Sequence, residues 1–332
     1  MDSSVDPNCM LNNGLLMPKV GLAISQNQSD DLIYTVVVDY GYRHLYTVSF
    51  YKNEEVVGEA IQKVLTETDI RQEDLFVVTK VWQNQKEDIR GAFDKSLKKL
   101  KLDYDDLTKF PSEETLKSKL TEFKLSRFQF KIPFYFSTHQ PAFVKVEEGG
   151  KIVPGKIANH VAWAELEKLV NEGLIKSIGV PNFNVQSLLD MLAYCETKPV
   201  CNQIELHPYL VQDELVKFMK DNEIIRVVYY PLVGGGDLKR NSPKDILKLE
   251  LFQEHAEKYD RTAGQIILNW GLHRGHCIIP KIFNKERLIE NKKSQEFITG
   301  GEDYQKISDL DCGRRCFPGI NFEFLCYTPV FA

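Results

Sequence analysis

The stretch IKSIGVPNFNVQSLLDMLAYCETKPVCNQIEL, residues 175–206, decides the fold. Its ends, 175–180 and 201–206, are short runs of strand length, and 184–194 between them is amphipathic at helical spacing. A strand, a crossover helix and a second strand imply parallel pairing. The same unit recurs in both directions along the chain. Strands are predicted at 19–23, 43–46, 75–80, 134–139, 175–180, 201–206, 224–230 and 277–281. Helical patterns separate them, among them 55–66, 88–100, 160–172, 184–194, 212–222 and 262–273. Eight strands alternating with helices predict an α/β fold, a closed (β/α)8 TIM barrel, with residues 1–332 as a single domain.

Composition agrees with a globular chain. Of 332 residues, 43% are apolar and 27% charged, which argues against global disorder. The formal net charge of −5 gives no bulk attraction to nucleic acid or to an anionic membrane, so neither is an expected partner. No apolar run approaches the roughly 18 residues of a spanning helix. The opening MDSSVDPNCMLNNG has neither a basic start nor an apolar core, so a cytoplasmic location is expected. Cysteines at 9, 195, 201, 277, 312, 316 and 326 are odd in number and scattered, which fits free thiols in a reducing compartment. Cys312 and Cys316 alone fall short of the four ligands of a structural zinc site, and no metal is expected.

Two stretches resist the pattern. Residues 33–39 (IYTVVVD) have strand propensity, yet the repeat needs a helix there. We side with the repeat and expect Asp30 or Asp31 to cap that helix. Residues 108–134 interrupt the approach to the fourth strand as an insertion, with Leu116, Leu120 and Phe123 on one face of a short helix and Phe128, Phe130 and Ile132 alternating.

Chemistry in such a barrel sits at the C-terminal ends of the strands. There the sequence places Lys80, His139, Asn182, Gln203, Tyr229 and Lys281, with Tyr51 just past the second strand. Tyr, Lys and His converging on one pocket form a proton-transfer set, because a nearby ammonium lowers a phenol's pKa. Pro231-Leu232-Val233-Gly234-Gly235-Gly236 after the seventh strand, and Lys281 with Arg287 after the eighth, suit a phosphate-bearing ligand. No Gly-x-Gly-x-x-Gly or P-loop motif is present.

These residues resemble the aldo-keto reductase family. Leu11-Asn12-Asn13-Gly14 with Met17-Pro18 is similar to its N-terminal β-hairpin, and Gly41-Tyr42-Arg43-His44 and Tyr51-x-Asn53-Glu54-x-x-Val57-Gly58 to its second-strand signature. Further matches are Glu73–Trp82, Lys176–Phe183, Cys201–Tyr209 and Ile279-Pro280-Lys281 with Arg287 and Asn291. The resemblance implies NADPH-dependent reduction of an aldehyde or ketone. Tyr51 would be the general acid, Lys80 its activator, and His139 the residue orienting the carbonyl. Asn182 and Gln203 would hold the nicotinamide amide, and Tyr229 would stack on its ring, beside Leu232. Lys281 and Arg287 would meet the 2′-phosphate, and Glu290 and Asn291 the adenine. The implied partner is a small carbonyl compound, and the implied state a monomer or homodimer.

The chain departs from the family pattern at several points. The catalytic Asp five residues before the Tyr is Tyr46, which deprives Lys80 of an ion-pair partner. Gly-Thr-Trp after the first strand is Ala23-Ile24-Ser25; Pro181, Ile282 and Tyr230 replace serines, and Val233 replaces a glycine. An alternative therefore stays open: a weak or inactive homologue that binds NADP(H) as a sensor or partner subunit. A third reading takes 108–134 as retained non-coding sequence that keeps the fourth strand from pairing.

Overall fold

Local alternation and a repeated crossover build the observed architecture. The computed structural model describes residues 4–24, 28–81, 83–102, 133–136, 143–146, 152–154, 157–233, 245–282 and 284–316. An N-terminal hairpin pairs β1 (Asn8–Met10) antiparallel with β2 (Leu16–Pro18). Gly14, at φ 82°, supplies the left-handed residue its turn needs. Asn12 and Asn13 donate to the carbonyls of Pro199 and Lys176, which fastens the hairpin to the start of the staves.

The main sheet has eight parallel strands: β3 (Leu22–Ala23), β4 (His44–Tyr46), β5 (Phe76–Val81), β6 (Pro133–Phe136), then, after a hairpin of β7 (Phe143–Val146) and β8 (Ile152–Pro154), β9 (Ser177–Pro181), β10 (Cys201–Glu205), β11 (Ile225–Tyr229) and β12 (Cys277–Ile278). Val20 bridges Ile278 in parallel, with Ile278 N donating to Lys19 O at 2.7 Å and Gly21 N to Ile278 O at 2.9 Å. The last stave therefore joins the first, and the ring closes as predicted.

The fourth strand pairs on both sides. Lys80 lies opposite Tyr135 on one flank, and Tyr135 lies opposite Gly179 on the other. The described strand spans Pro133–Phe136 rather than the predicted 134–139, and Pro133 sits at its first position, where a missing N–H costs least. The β7–β8 hairpin was not predicted, although Gly149-Gly150 between its strands is a hairpin signal. The rest of the 108–134 insertion lies outside the described residues.

Helices clothe the barrel: α1 (Asp30–Val38), α2 (Glu54–Glu67), α3 (Ile89–Leu100), α4 (Asn159–Asn171), α5 (Val185–Tyr194), α6 (Asp213–Asp221), α7 (Glu250–Tyr259), α8 (Ala263–His273), α9 (Lys285–Lys293) and α10 (Gly301–Ser308). The β-branched α1 is helical because Ile33, Val36 and Val37 fall on one face and bury there, which outweighs their strand propensity. Its cap corrects our expectation. Ser29 Oγ accepts from Leu32 N at 3.3 Å, while Asp30 and Asp31 occupy the first turn, where their charge suits the helix dipole.

Period-two alternation divides two cores. Phe76 and Val78 face the barrel interior with Tyr46, Cys201, Val227 and Cys277. Val77, Val81, Ile178, Val180 and Ile204 face the helices. Gly58 of α2 shows how tightly that outer layer packs. A Cβ there would run into the Lys99 carbonyl and stand 2.6 Å from Leu100 C, at the end of α3. In an open helix, Gly→Ala stabilises by about 1 kcal/mol. Here overpacking reverses the sign, and we expect Gly58→Ala to lose about 1–3 kcal/mol in urea unfolding. A gain would show the α2–α3 contact to be slack.

Candidate active site

Alternation also decides which polar side chains enter the barrel mouth. On β5 the residue after Phe76 and Val78 on the inner face is Lys80; on β10 the residue after Cys201 is Gln203. These strands are not neighbours, so the bond from Lys80 Nζ to Gln203 Oε1, 2.9 Å long, spans the interior. Tyr46, on β4, hydrogen-bonds the same Gln203 side chain, and the Lys80 ammonium lies 5.6 Å from the Tyr46 ring centroid. Both of these contacts to Lys80, the amide and the ring, are uncharged. The ring face attracts a cation but offers no full negative charge.

Tyr51 ends a 3₁₀ turn, Ser49–Tyr51, that follows β4. Ser49 Oγ ties this turn to β5, reaching Lys80 O at 3.0 Å and Gln85 Oε1 at 2.9 Å. The Tyr51 ring, half-buried, packs against the interior cluster that contains Tyr46. Burial pulls the Lys80 amine down to about 7, because an ammonium is poorly solvated there. Burial pushes the Tyr51 phenol up to about 12, with Tyr46 adding to the rise. Tyr46 itself is driven well above the ordinary phenol range by burial. The amine thus loses its charge long before either phenol gives up a proton.

Two further predicted residues join this network. Tyr229 OH donates to Asn182 Oδ1 at 3.0 Å, and Asn182 N donates to Gln203 O at 2.9 Å. Asn182 holds φ 58°, a left-handed position that Asn tolerates better than most residues. Leu232, half-buried, lies in the turn after β11. That turn carries strain: Val233 stands at φ 52°, a conformation that costs a β-branched residue about 1–2 kcal/mol and a glycine almost nothing. His139 and the glycines 234–236 lie outside the described residues.

The predicted nucleotide-binding residues gather at α9. Lys281 is exposed after β12, and Arg287 is exposed in the first turn of α9. Asn284 caps that helix by accepting from Arg287 N at 3.0 Å. Glu290 is half-buried, its carbonyl accepting from Gln265 Nε2 at 3.1 Å. Asn291 is buried, and its Nδ2 donor has no partner among the described residues.

Sequence reasoning missed one cluster at this end of the barrel. Glu205, His207 and Cys316 are buried with their ligating atoms within 4.8 Å of one another. Glu205 Oε1 is already engaged by His207 Nε2 at 2.9 Å and by Cys316 N at 2.6 Å, so the cluster is a hydrogen-bonded brace for the 311–316 segment. Burial and the Glu205 carboxylate push the Cys316 thiol up to about 12. The alternation Cys201, Gln203, Glu205 already signals that Glu205 points inward.

Comparison with known proteins agrees with this geometry. The sequence model of the Aldo/keto reductase family matches residues 14–311. Aldose reductase B of Dictyostelium discoideum is 33% identical over 96% of this chain and 92% of its own. The NADPH-dependent D-xylose reductase of Meyerozyma guilliermondii is 33% identical over 91% and 93%. Among solved structures, an aldo-keto reductase complexed with NADPH superposes with a TM-score of 0.80 at 29% identity, covering 98% of this chain and 94% of that one. The aldose reductase of Schistosoma japonicum gives 0.77 at 25% identity, over 94% and 95%. With a closed parallel barrel, these strand ends and a match over most of its length, the chain belongs to the aldo-keto reductase family.

Proposed function

We propose that this chain reduces a small aldehyde or ketone to an alcohol with NADPH, with Tyr51 as the proton donor and Lys80 as the group that makes it acidic. The observation that carries this reading is the anchoring of Tyr51's turn onto Lys80's own backbone, beside a dehydrated amine held by Gln203.

The chain suits the cofactor. Asn291 Nδ2, without a partner among the described residues, is a buried donor of the kind a purine ring satisfies. Lys281 and Arg287 are exposed cations at the capped N-terminus of α9, a favourable setting for a 2′-phosphate. Asn182, Gln203 and Tyr229 line the approach to a nicotinamide, and Glu290 flanks the adenine side. When bound, NADPH supplies the hydride. Tyr51 then gives its phenolic proton to the alkoxide oxygen, and the Lys80 ammonium stabilises the phenolate left behind. His139 orients the carbonyl oxygen in this scheme.

One observation favours a second reading, in which turnover is weak and NADP(H) binding is the main property. Among the described residues Lys80 has no carboxylate partner, so the charge that acidifies Tyr51 is lost as pH rises through about 7.

Two experiments separate the roles. Tyr51→Phe is expected to lower kcat for a small aldehyde by about 10²–10⁴-fold while NADPH binding, read by fluorescence titration, stays unchanged. Full activity in that variant would remove Tyr51 from the chemistry. The second concerns pH. Because burial holds Lys80 near 7, its protonated fraction, and with it kcat, falls as pH rises through about 7. Tyr46→Asp restores an opposite charge, keeps the amine protonated to higher pH, and is expected to move that limb upward by about one unit or more. An unchanged profile would mean that Lys80 does not govern the acid.

A further inference from the structure

At the opposite end of the barrel from the site, two cysteines 268 positions apart meet. Cys9, on β1 of the N-terminal hairpin, places its Sγ 3.1 Å from Sγ of Cys277, on β12. Both are free thiols. We propose that Cys9 and Cys277 are an oxidative modification site, which a peroxide converts to a disulfide stapling the hairpin to the last stave.

The geometry divides the labour between the two sulfurs. Cys9 retains 9% exposure, while Cys277 is fully enclosed. An oxidant arriving from outside therefore meets Cys9 first. As a neutral thiol, Cys9 points its proton at Met17 O, 3.4 Å away, which leaves its sulfur lone pairs to accept from Cys277. That bond, with Lys19 and Arg226 nearby, lowers Cys9's pKa; burial and, less strongly, Asp6 oppose the shift. Cys277, deeper and beside Cys201, is held well above the thiol range. Cys9 is thus the nucleophile and Cys277 the resolving thiol.

The chemistry balances with hydrogen peroxide as oxidant. Cys9 thiolate attacks one peroxide oxygen and the O–O bond breaks. The sulfur becomes a sulfenic acid, and the departing hydroxide takes up the proton Cys9 had lost, leaving as water. Cys277 sulfur then attacks Cys9 sulfur, the S–O bond breaks, and a second water leaves with the Cys277 proton. Two thiols lose two electrons and one peroxide becomes two waters. The sulfurs must close from 3.1 Å to the about 2.05 Å of an S–S bond. β1 belongs to the two-stranded hairpin and not to the barrel sheet, so that closure asks no stave to shift its pairing. The staple lies next to the seam where Val20 bridges Ile278, so it reinforces the closure of the ring.

The test uses the full chain carrying Cys312→Ser, which removes an exposed thiol outside the pair. After treatment with a few equivalents of hydrogen peroxide and alkylation of remaining thiols, non-reducing peptide mapping is expected to show one linked species joining the Cys9 and Cys277 peptides. It should vanish in Cys9→Ser and Cys277→Ser, persist in Cys201→Ser, and disappear on adding dithiothreitol. The oxidised protein should also melt at higher temperature than the reduced one. Because the mapping of the parent chain stands without the variants, a variant that misfolds does not rescue the proposal. Sulfinic or sulfonic acid at Cys9 without linkage, a cross-link through Cys201, or unmodified Cys9 and Cys277 would each overturn it.

Discussion

A primary amine taken out of water must find another source of stabilisation or give up its charge, and the mouth of this barrel is organised around that constraint. Lys80 is buried, and the group that receives its hydrogen bond is a neutral amide. A carboxylate would hold the proton firmly; an amide dipole and an aromatic face hold it loosely. The same Gln203 serves the Tyr46 hydroxyl with its side chain and Asn182 with its backbone carbonyl, so one residue links three staves. The state of the lysine is thereby coupled, through Gln203, to Tyr46 and Asn182.

That coupling explains how a chain with Tyr46 in the usual carboxylate position retains a coherent site. Tyr46 fills volume and contributes a hydroxyl to the network without introducing a buried charge. A lone carboxylate with a broken partner would cost several kcal/mol, whereas a phenol that is hydrogen-bonded costs little. The substitution therefore trades electrostatic grip on Lys80 for a neutral, well-packed interior. Strain collects elsewhere, at Val233 and at Tyr230, φ 59°, in the turn after β11. Backbone strain of this kind persists only where surrounding structure enforces it.

Much of this was legible in the residues. Period-two alternation aligned Lys80 with Phe76 and Val78, and Gln203 with Cys201, so their inward direction could be read before any coordinates. The strand–helix rhythm correctly overrode the β-branched composition of Ile33–Val38, since three of its apolar residues fall on one helical face. The cap was misassigned because Ser29, Asp30 and Asp31 are three consecutive capping types, and only backbone geometry selects Ser29. The Glu205–His207–Cys316 brace joins positions more than a hundred residues apart, and the Cys9–Cys277 contact spans most of the chain. Neither has a local signature. The replacement of Asp by Tyr46 was visible, but its partner Gln203 was not, because the bond depends on distance across the barrel.

Burial with no carboxylate among its described partners brings Lys80 to titrate near neutrality. The most direct measurement follows the side-chain nitrogen of Lys80 by NMR in protein labelled with ¹⁵N-lysine, assigned by comparison with Lys80→Met, across pH 5 to 11. The account predicts a midpoint at about 7, well below the 10.5 of a free lysine. A midpoint near that free value would contradict it, since the amine would then be solvated or paired with a negative charge.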